Sequence, residues 1–317
     1  MNNKLNFVFC FDQNYDKQAE IAIYSLLECV NEDIDISIIH SKTANKNFLS
    51  NKIKNHKKLN NLYIYYFDEK KHIFPNIKNT HVSEATYYRF FLEKYLQQDS
   101  EYIIYLDTDI VCINNPVIQI KEEIEKLNKS NKLFGACLEI EPTEDLEVFS
   151  RLNMDSSYFN AGVLIINFKL WREGQIGEKL LKHMKKISNK IVLWDQDVMN
   201  SFFNGNYIQI SKELNFCTST NLDYRKNFEL ISKNTMFFHY SGKIKPWYIK
   251  GTDSKFAEFY HSNYRNIYPN QSYHLVFRNR KLDAINLVSL IISFKIFNLK
   301  FPFKFFFKSL GLIFNKN

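Results

Sequence analysis

Short apolar runs alternate with polar or amphipathic stretches along most of this chain. Phe7 to Phe11 is a continuous apolar run, which predicts a buried strand closed by the polar turn Asp12-Gln13-Asn14-Tyr15. Gln18 to Val30 carries helical periodicity through Ile21, Ile23, Tyr24, Leu27 and Val30. Ile36 to Ile39 and Leu62 to Phe67 read as strands, with a lysine- and asparagine-rich helical stretch between them. Ser83 is a plausible N-cap for a helix running to about Leu96, and Tyr102 to Leu106 is the next strand. Leu133 to Leu138, Ala161 to Asn167 and Phe237 to Tyr240 predict further strands, and Ile176 to Ile187 and Asp195 to Phe203 predict helices. Strands alternating with helices in this way imply an α/β sheet with crossovers. Ligands in such sheets bind outside the carboxyl ends of the strands, where Asp12, Asp107 and Asp109 fall.

Three Asp-x-Asp triplets occur: Asp33-Ile-Asp35, Asp107-Thr-Asp109 and Asp195-Gln-Asp197. The first reads as a solvated turn before a strand. The second follows an apolar strand directly, and residues two apart on a strand share a face. Two carboxylates so placed can converge on a hard divalent cation such as Mg²⁺ or Mn²⁺, which keeps positions open for phosphate oxygens. A strand-end turn with Asx hydrogen bonds is the plainer reading of the same residues. The turn at Asp12 is open in the same way, Asp195 equally suits a helix cap or a ligand, and His239 alone reads as a structural histidine. Arg89 stands among Tyr87, Tyr88, Phe90 and Phe91, so it needs a partner: a sugar hydroxyl, a phosphate or a carboxylate. The chain has no Gly-rich phosphate loop, which disfavours a dinucleotide oxidoreductase.

An apolar content of 45% with 16% aromatics marks a globular chain, and 317 residues accommodate one large α/β domain plus an appendage. Five scattered cysteines without a Cys-x-x-Cys predict reduced, buried thiols. The short N-terminal apolar run, broken by Asp12, is not expected to act as a signal peptide. The net charge of +8 is lopsided, since residues 272–317 hold eight Lys or Arg against one acid, Asp283. Within that tail, the apolar run Ala284 to Leu299 is interrupted by Lys295 and is too short to span a membrane. On a helical wheel Asn286, Ser289, Ser293 and Lys300 cluster on one side, while Ile285, Leu287, Val288 and Ile292 spread over the rest. Phe301 to Phe307 then mixes lysine with phenylalanine, a composition suited to an anionic membrane surface. A packed C-terminal helix and a nucleic-acid patch are the alternatives, and nucleic acid is not the expected partner.

Taken in order, Phe9-Cys-Phe-Asp-Gln-Asn-Tyr15, Arg89, Tyr105-Leu-Asp-Thr-Asp109, Tyr158-Phe-Asn-Ala-Gly-Val163, Trp194-Asp-Gln-Asp197 and His239-Tyr-Ser-Gly-Lys-Ile-Lys-Pro-Trp247 form one set. The set resembles the family-8 retaining glycosyltransferases, particularly bacterial lipopolysaccharide and lipooligosaccharide galactosyl- and glucosyltransferases, over residues 5–250. The resemblance implies a GT-A-type, Rossmann-like domain with a central mixed sheet flanked by helices, over residues 1–250. Its nucleotide-sugar half would cover about 1–115 and its acceptor half about 116–250. A basic, aromatic, helical membrane-binding segment would follow at 251–317.

The same resemblance implies that Asp107, Asp109 and His239 bind Mn²⁺, or Mg²⁺, and that Gly242 and Lys245 meet the diphosphate. Asp12, Asn14 and Tyr15 would hold the nucleoside, with Thr108 beside them. Arg89, Asn160, Ala161, Gly162, Asp195 and Gln196 would receive the sugar of a UDP-hexose, and His81 and Glu139 would face the acceptor, where an aspartate is usual at the latter position. Gln196 beneath the sugar favours front-face displacement, while Asp195 stays a candidate for a covalent intermediate. The expected enzyme is a UDP-hexose-dependent retaining transferase acting on a lipid-linked saccharide acceptor at the cytoplasmic membrane face. A self-glucosylating or protein-directed transferase and an inactive nucleotide-sugar binder are the alternatives.

Overall fold

The computed structural model describes residues 4–41, 47–69, 72–75, 83–97, 100–219 and 227–314. Ten strands occur among them: β1 (Asn6–Phe11), β2 (Ile34–Ser41), β3 (Leu59–Phe67), β4 (Tyr102–Leu106), β5 (Ile110–Cys112), β6 (Phe134–Ile140), β7 (Tyr158–Asn167), β8 (Ile208–Gln209), β9 (Phe216–Cys217) and β10 (Phe237–His239). Seven form one mixed sheet in the order β3-β2-β1-β4-β7-β6-β8, and three form a small sheet in the order β5-β10-β9. The run β3-β2-β1-β4 is parallel, whereas β7 is antiparallel to both β4 and β6.

The apolar runs read from sequence are the central strands, and they are buried on both faces. Phe7, Phe9 and Phe11 of β1 point into one core with the helix Asp16–Cys29, while Val8 and Cys10 point into a second core on the opposite face. The second core receives the aromatic segment around Arg89 and the helices Ile176–Lys186 and Trp194–Phe203. Alternation is the ordinary consequence of a pleated strand. In β7 it changes phase: Phe159 and Ala161 join the second core, yet Val163 and Ile165 join the first. The pairing of β7 with β6 is irregular at the same place, between Ala136 and Cys137. A local bulge at Gly162 re-aims the strand where it passes the end of β4.

Several expectations are corrected. The segment Glu84–Phe91 is a 3-10 helix capped by Ser83, with only Leu92–Tyr95 α-helical; eight aromatic-rich residues gave a pattern that both helix types satisfy. Between β2 and β3 the described residues contain only the four-residue helix Asn51–Lys54. Asp35 lies within β2 instead of a turn, and its Oδ1 accepts from Asn60 Nδ2 at 2.7 Å and from Asn61 N at 3.0 Å, fastening β2 to β3. The tail is not one long helix to Lys300. Its first helix, Arg280–Ile292, ends before Phe294, which adopts φ +57°, and a second, Pro302–Phe314, folds back over it. Leu287, Leu290, Phe305 and Ile313 pack with Ile249 and Tyr273 in a third, smaller core. The cysteines are free thiols, four of them buried. No helix among the described residues is long and apolar enough to cross a membrane.

Candidate active site

The carboxyl ends of β1 and β4 and the end of β10 meet at one cleft of about 580 Å³. Parallel pairing sets the turn after β1 beside the turn after β4. Antiparallel pairing of β10 with β5 then brings His239 opposite Ile110, so that Tyr240 N donates to Asp109 O at 3.0 Å. The two carboxylates of the Asp107–Asp109 turn take different partners. Asp107 Oδ1 accepts from Arg89 Nη2 at 2.7 Å and from the Tyr105 hydroxyl at 2.9 Å. Asp109 Oδ1 lies 3.1 Å from His239 Nε2, and its Oδ2 pairs with Lys245 Nζ, which also donates to Tyr240 O at 2.6 Å.

Asp107, Asp109 and His239 each offer a ligand atom, and the three atoms lie within 4.8 Å of one another. Two hard carboxylate oxygens and one imidazole nitrogen suit a divalent cation such as Mn²⁺ or Mg²⁺. The donor set is built and not incidental: His239 packs directly on Gly162, where a Cβ would lie 2.4 Å from His239 Cε1. Burial works against charge on both Asp109 and His239, but their mutual attraction prevails. Lys245 and His239 hold Asp109 far below the ordinary carboxylate range, and Asp109 holds His239 well above the ordinary imidazole value.

Beside the Asp107–Asp109 turn, buried Arg89 is shared by two carboxylates. Its Nε lies 2.9 Å from Asp195 Oδ2, its Nη1 donates to Ala161 O, and its guanidinium sits 4.0 Å above the Tyr105 ring. The partner demanded by the sequence is therefore this carboxylate pair. Burial pushes Asp195 up to about 6, against the lowering influence of Arg89 and of the Thr86 hydroxyl that donates to it. The helix-cap reading of Asp195 is corrected. Asp197, the other member of the triplet, accepts from Val192 N at 2.7 Å and Leu193 N at 2.9 Å at the helix start, and pairs with Arg151 and Tyr158. Residues two apart on a helix point to nearly opposite sides, so one carboxylate faces the cleft and the other anchors the helix.

Gln196 is held from two sides: its Oε1 accepts from Ala161 N at 2.9 Å and its Nε2 donates to Glu139 Oε2 at 2.7 Å. Glu139 also accepts from Asn160 Nδ2 at 3.2 Å, and burial raises its pKa although both amides oppose that. Thr108, Tyr15, Asn160, Ala161, Gly242 and Lys245 line the cleft, and Gly242 adopts φ +80°, a conformation suited to glycine. Asp12 and Asn14 stand on the turn beside it, where Asp12 Oδ1 accepts from Asn14 N at 2.9 Å. Tyr15 meets Trp247 edge to face. His81 lies outside the described residues. Sequence reasoning missed Thr86 and Asn215, and gave no separate role to Trp194, a cleft residue with φ +45°. A lone asparagine between Leu214 and Phe216 was the one available signal for a buried polar role.

The model of the family described as glycosyl transferase family 8 matches residues 6–250. The chain belongs to glycosyl transferase family 8. A putative glycosyltransferase of Haemophilus influenzae is 28% identical, with 78% of this chain and 74% of the relative covered. Lipopolysaccharide 1,3-galactosyltransferase of Salmonella typhimurium is 29% identical over 60% of this chain and 57% of its own, so the match spans little more than half of that relative. Among solved structures, the galactosyltransferase LgtC in complex with donor and acceptor sugar analogs superposes with a TM-score of 0.69 at 22% identity, covering 82% of this chain and 95% of that one. The family-8 chain thus has the mixed α/β, GT-A-like fold that its sequence implied.

Proposed function

We propose that this family-8 chain is a retaining hexosyltransferase that moves galactose or glucose from a UDP-sugar to a glycan acceptor, as its lipopolysaccharide-directed relatives' names suggest. The observation carrying the proposal is the convergence of Asp107, Asp109 and His239 beside Lys245 in a cleft that Asp195 and Gln196 also line. Asp107, Asp109 and His239 would hold a divalent cation, Mn²⁺ in preference to Mg²⁺ because of the imidazole, and it would supply Lewis-acid stabilisation to the departing diphosphate. Lys245, now on Asp109, is within reach of the same negative charge, and Gly242 lets backbone approach it. Tyr15 offers an aromatic face to the base, while Asp12 and Asn14 offer polar atoms to its edge. Arg89 pairs with both Asp107 and Asp195 and holds them in place, leaving Asp195 to accept from sugar hydroxyls.

Gln196 is assigned to the position beneath the sugar, and an amide is a poor nucleophile. Front-face displacement follows, in which the acceptor hydroxyl attacks as the diphosphate leaves and a phosphate oxygen takes the proton. Glu139, fastened to Gln196 and Asn160, is assigned to the acceptor side, together with His81.

The catalytic unit is assigned to residues 1–250, and residues 251–317 to contact with an anionic membrane surface on the cytoplasmic side, where a lipid-linked acceptor would be met. That assignment is supported by Phe294, Phe297, Phe303 and Phe307, all strongly exposed, among exposed Lys295, Lys300 and Lys304. The test of the activity is incubation with Mn²⁺ and separate UDP-sugars, measuring UDP release. Release from one hexose donor, reduced at least about a hundredfold in Asp109→Asn, is expected. Mass added to the protein itself would favour self-glucosylation, and no release with any donor at any acceptor would count against transfer.

A further inference from the structure

Asn215 carries no role in the reading above, yet it is 4% exposed and sits directly behind His239. Its side-chain amide meets His239 and Asn160: Oδ1 lies 2.9 Å from His239 Nδ1, and Nδ2 donates to Asn160 Oδ1 at 2.9 Å. The orientation of this amide is dictated by backbone. Gly162 N–H can only donate, and it donates to Asn160 at 2.9 Å, so the Asn160 atom there is the oxygen. That oxygen then requires a donor from Asn215, which turns Nδ2 toward Asn160 and Oδ1 toward His239. The Cys217 thiol, 3.4 Å from the same Oδ1, is a further donor to it. An oxygen facing Nδ1 requires a proton on Nδ1. With Nδ1 committed as a donor to Asn215, Nε2, which faces Asp109, is the nitrogen left to ligate a cation.

The remaining links agree. Ala161 N–H donates to Gln196 Oε1, so Gln196 offers Nε2 to Glu139, and Asn160 offers Nδ2 to the same carboxylate oxygen. Two backbone donors on the bulge of β7 therefore set the direction of every hydrogen bond from Gln196 to His239. We infer that Asn215 is the positioning residue of the cation site: it fixes His239 with the proton on Nδ1, presenting Nε2 to the cation, and ties this imidazole through Asn160 and Glu139 to Gln196. Partners of ligating histidines serve this purpose in metal sites generally, and their loss costs about ten- to a hundredfold in metal affinity. The inference rests on the cation reading of Asp107, Asp109 and His239.

The experiment compares full-length wild type with Asn215→Leu and Asn215→Asp. Mn²⁺ affinity is measured by electron paramagnetic resonance in the presence of UDP, with thermal unfolding as a check on folding. A carboxylate still accepts from Nδ1–H, so Asn215→Asp should bind Mn²⁺ within about threefold of wild type or tighter, while Asn215→Leu should bind about ten- to a hundredfold more weakly. Facing Asn160 Oδ1 with a second acceptor, Asn215→Asp should nonetheless lose turnover. A folded Asn215→Leu with wild-type affinity would overturn the inference, as would equal loss in both variants. If Asn215→Leu does not fold, nitrogen-15 histidine spectra of wild type with Mg²⁺ and UDP decide: Nδ1–H for His239 supports the inference, and Nε2–H overturns it. Failure of wild type to bind Mn²⁺ with UDP would instead bring down the cation reading itself, and this inference with it.

Discussion

A methyl group at position 162 would lie 2.4 Å from His239 Cε1 and 2.8 Å from its Nδ1, so a single hydrogen atom separates this cleft from one in which the imidazole must move. Gly162→Ala should therefore weaken Mn²⁺ binding in the presence of UDP by at least about tenfold with little loss of thermal stability; unchanged affinity would show that His239 has room to spare. At this scale the sequence was most legible where chemistry is carried by local motifs. Asp107 and Asp109 stand two apart at a strand's end, and His239, Gly242 and Lys245 share one short segment. Contacts that depend on distant partners were not legible. Thr86 meets Asp195 across 109 residues and Asn215 meets His239 across 24, and nothing in either neighbourhood names the partner. The assignment of Asp195 and Asp197 could be settled only by helix phase, because a carboxylate in a first turn satisfies both roles.

At the level of elements, long apolar strands were readable because burial on both faces leaves continuous runs, as in β1 and β4. Strands β5 and β9 have three and two residues, too few for any period to register, whereas β10 was legible as a short apolar run; the pairing of β10 with β5 is what carries His239 to Asp109. The helix Ala257–Ile267 shows how an element outside the cleft supports it. Its His261 Nε2 donates to Pro246 O at 3.0 Å, next to Lys245, and its Tyr260 meets His274 at 2.6 Å. Burial lowers both histidines to about 3, so the folded protein keeps them neutral while the unfolded chain protonates them near the ordinary value. Stability contributed by their neutral forms is complete above about pH 6.5 and is lost as pH falls toward about 3, with a slope approaching about 1.4 kcal/mol per pH unit for each. Thermal unfolding should move to lower temperature from pH 7 to pH 5, and less so in His261→Gln. An equal shift in that variant would place the acid sensitivity elsewhere.

For the whole molecule, the family-matched segment ends at residue 250, while the cores continue beyond it: Tyr260 and Tyr264 pack into the first core, and the tail builds a third. Its charge was visible in sequence, but the break at Phe294 was not, because a non-glycine residue at positive φ leaves no compositional mark. Phe303 and Phe307, 71% and 68% exposed, flank Lys304 on one helix. Co-sedimentation with anionic vesicles should be strong at low salt, fall as salt rises, and drop severalfold in Phe303→Ser/Phe307→Ser; equal binding to neutral vesicles would contradict an electrostatic anchor. The central claim, however, is that Asp107, Asp109 and His239 hold a cation that holds the nucleotide. Calorimetric titration of the full chain with UDP, with and without Mn²⁺, tests it most directly. The account predicts at least about tenfold tighter UDP binding with Mn²⁺ and loss of that gain in Asp109→Asn. UDP binding of equal strength with and without Mn²⁺, in wild type and variant alike, would contradict it.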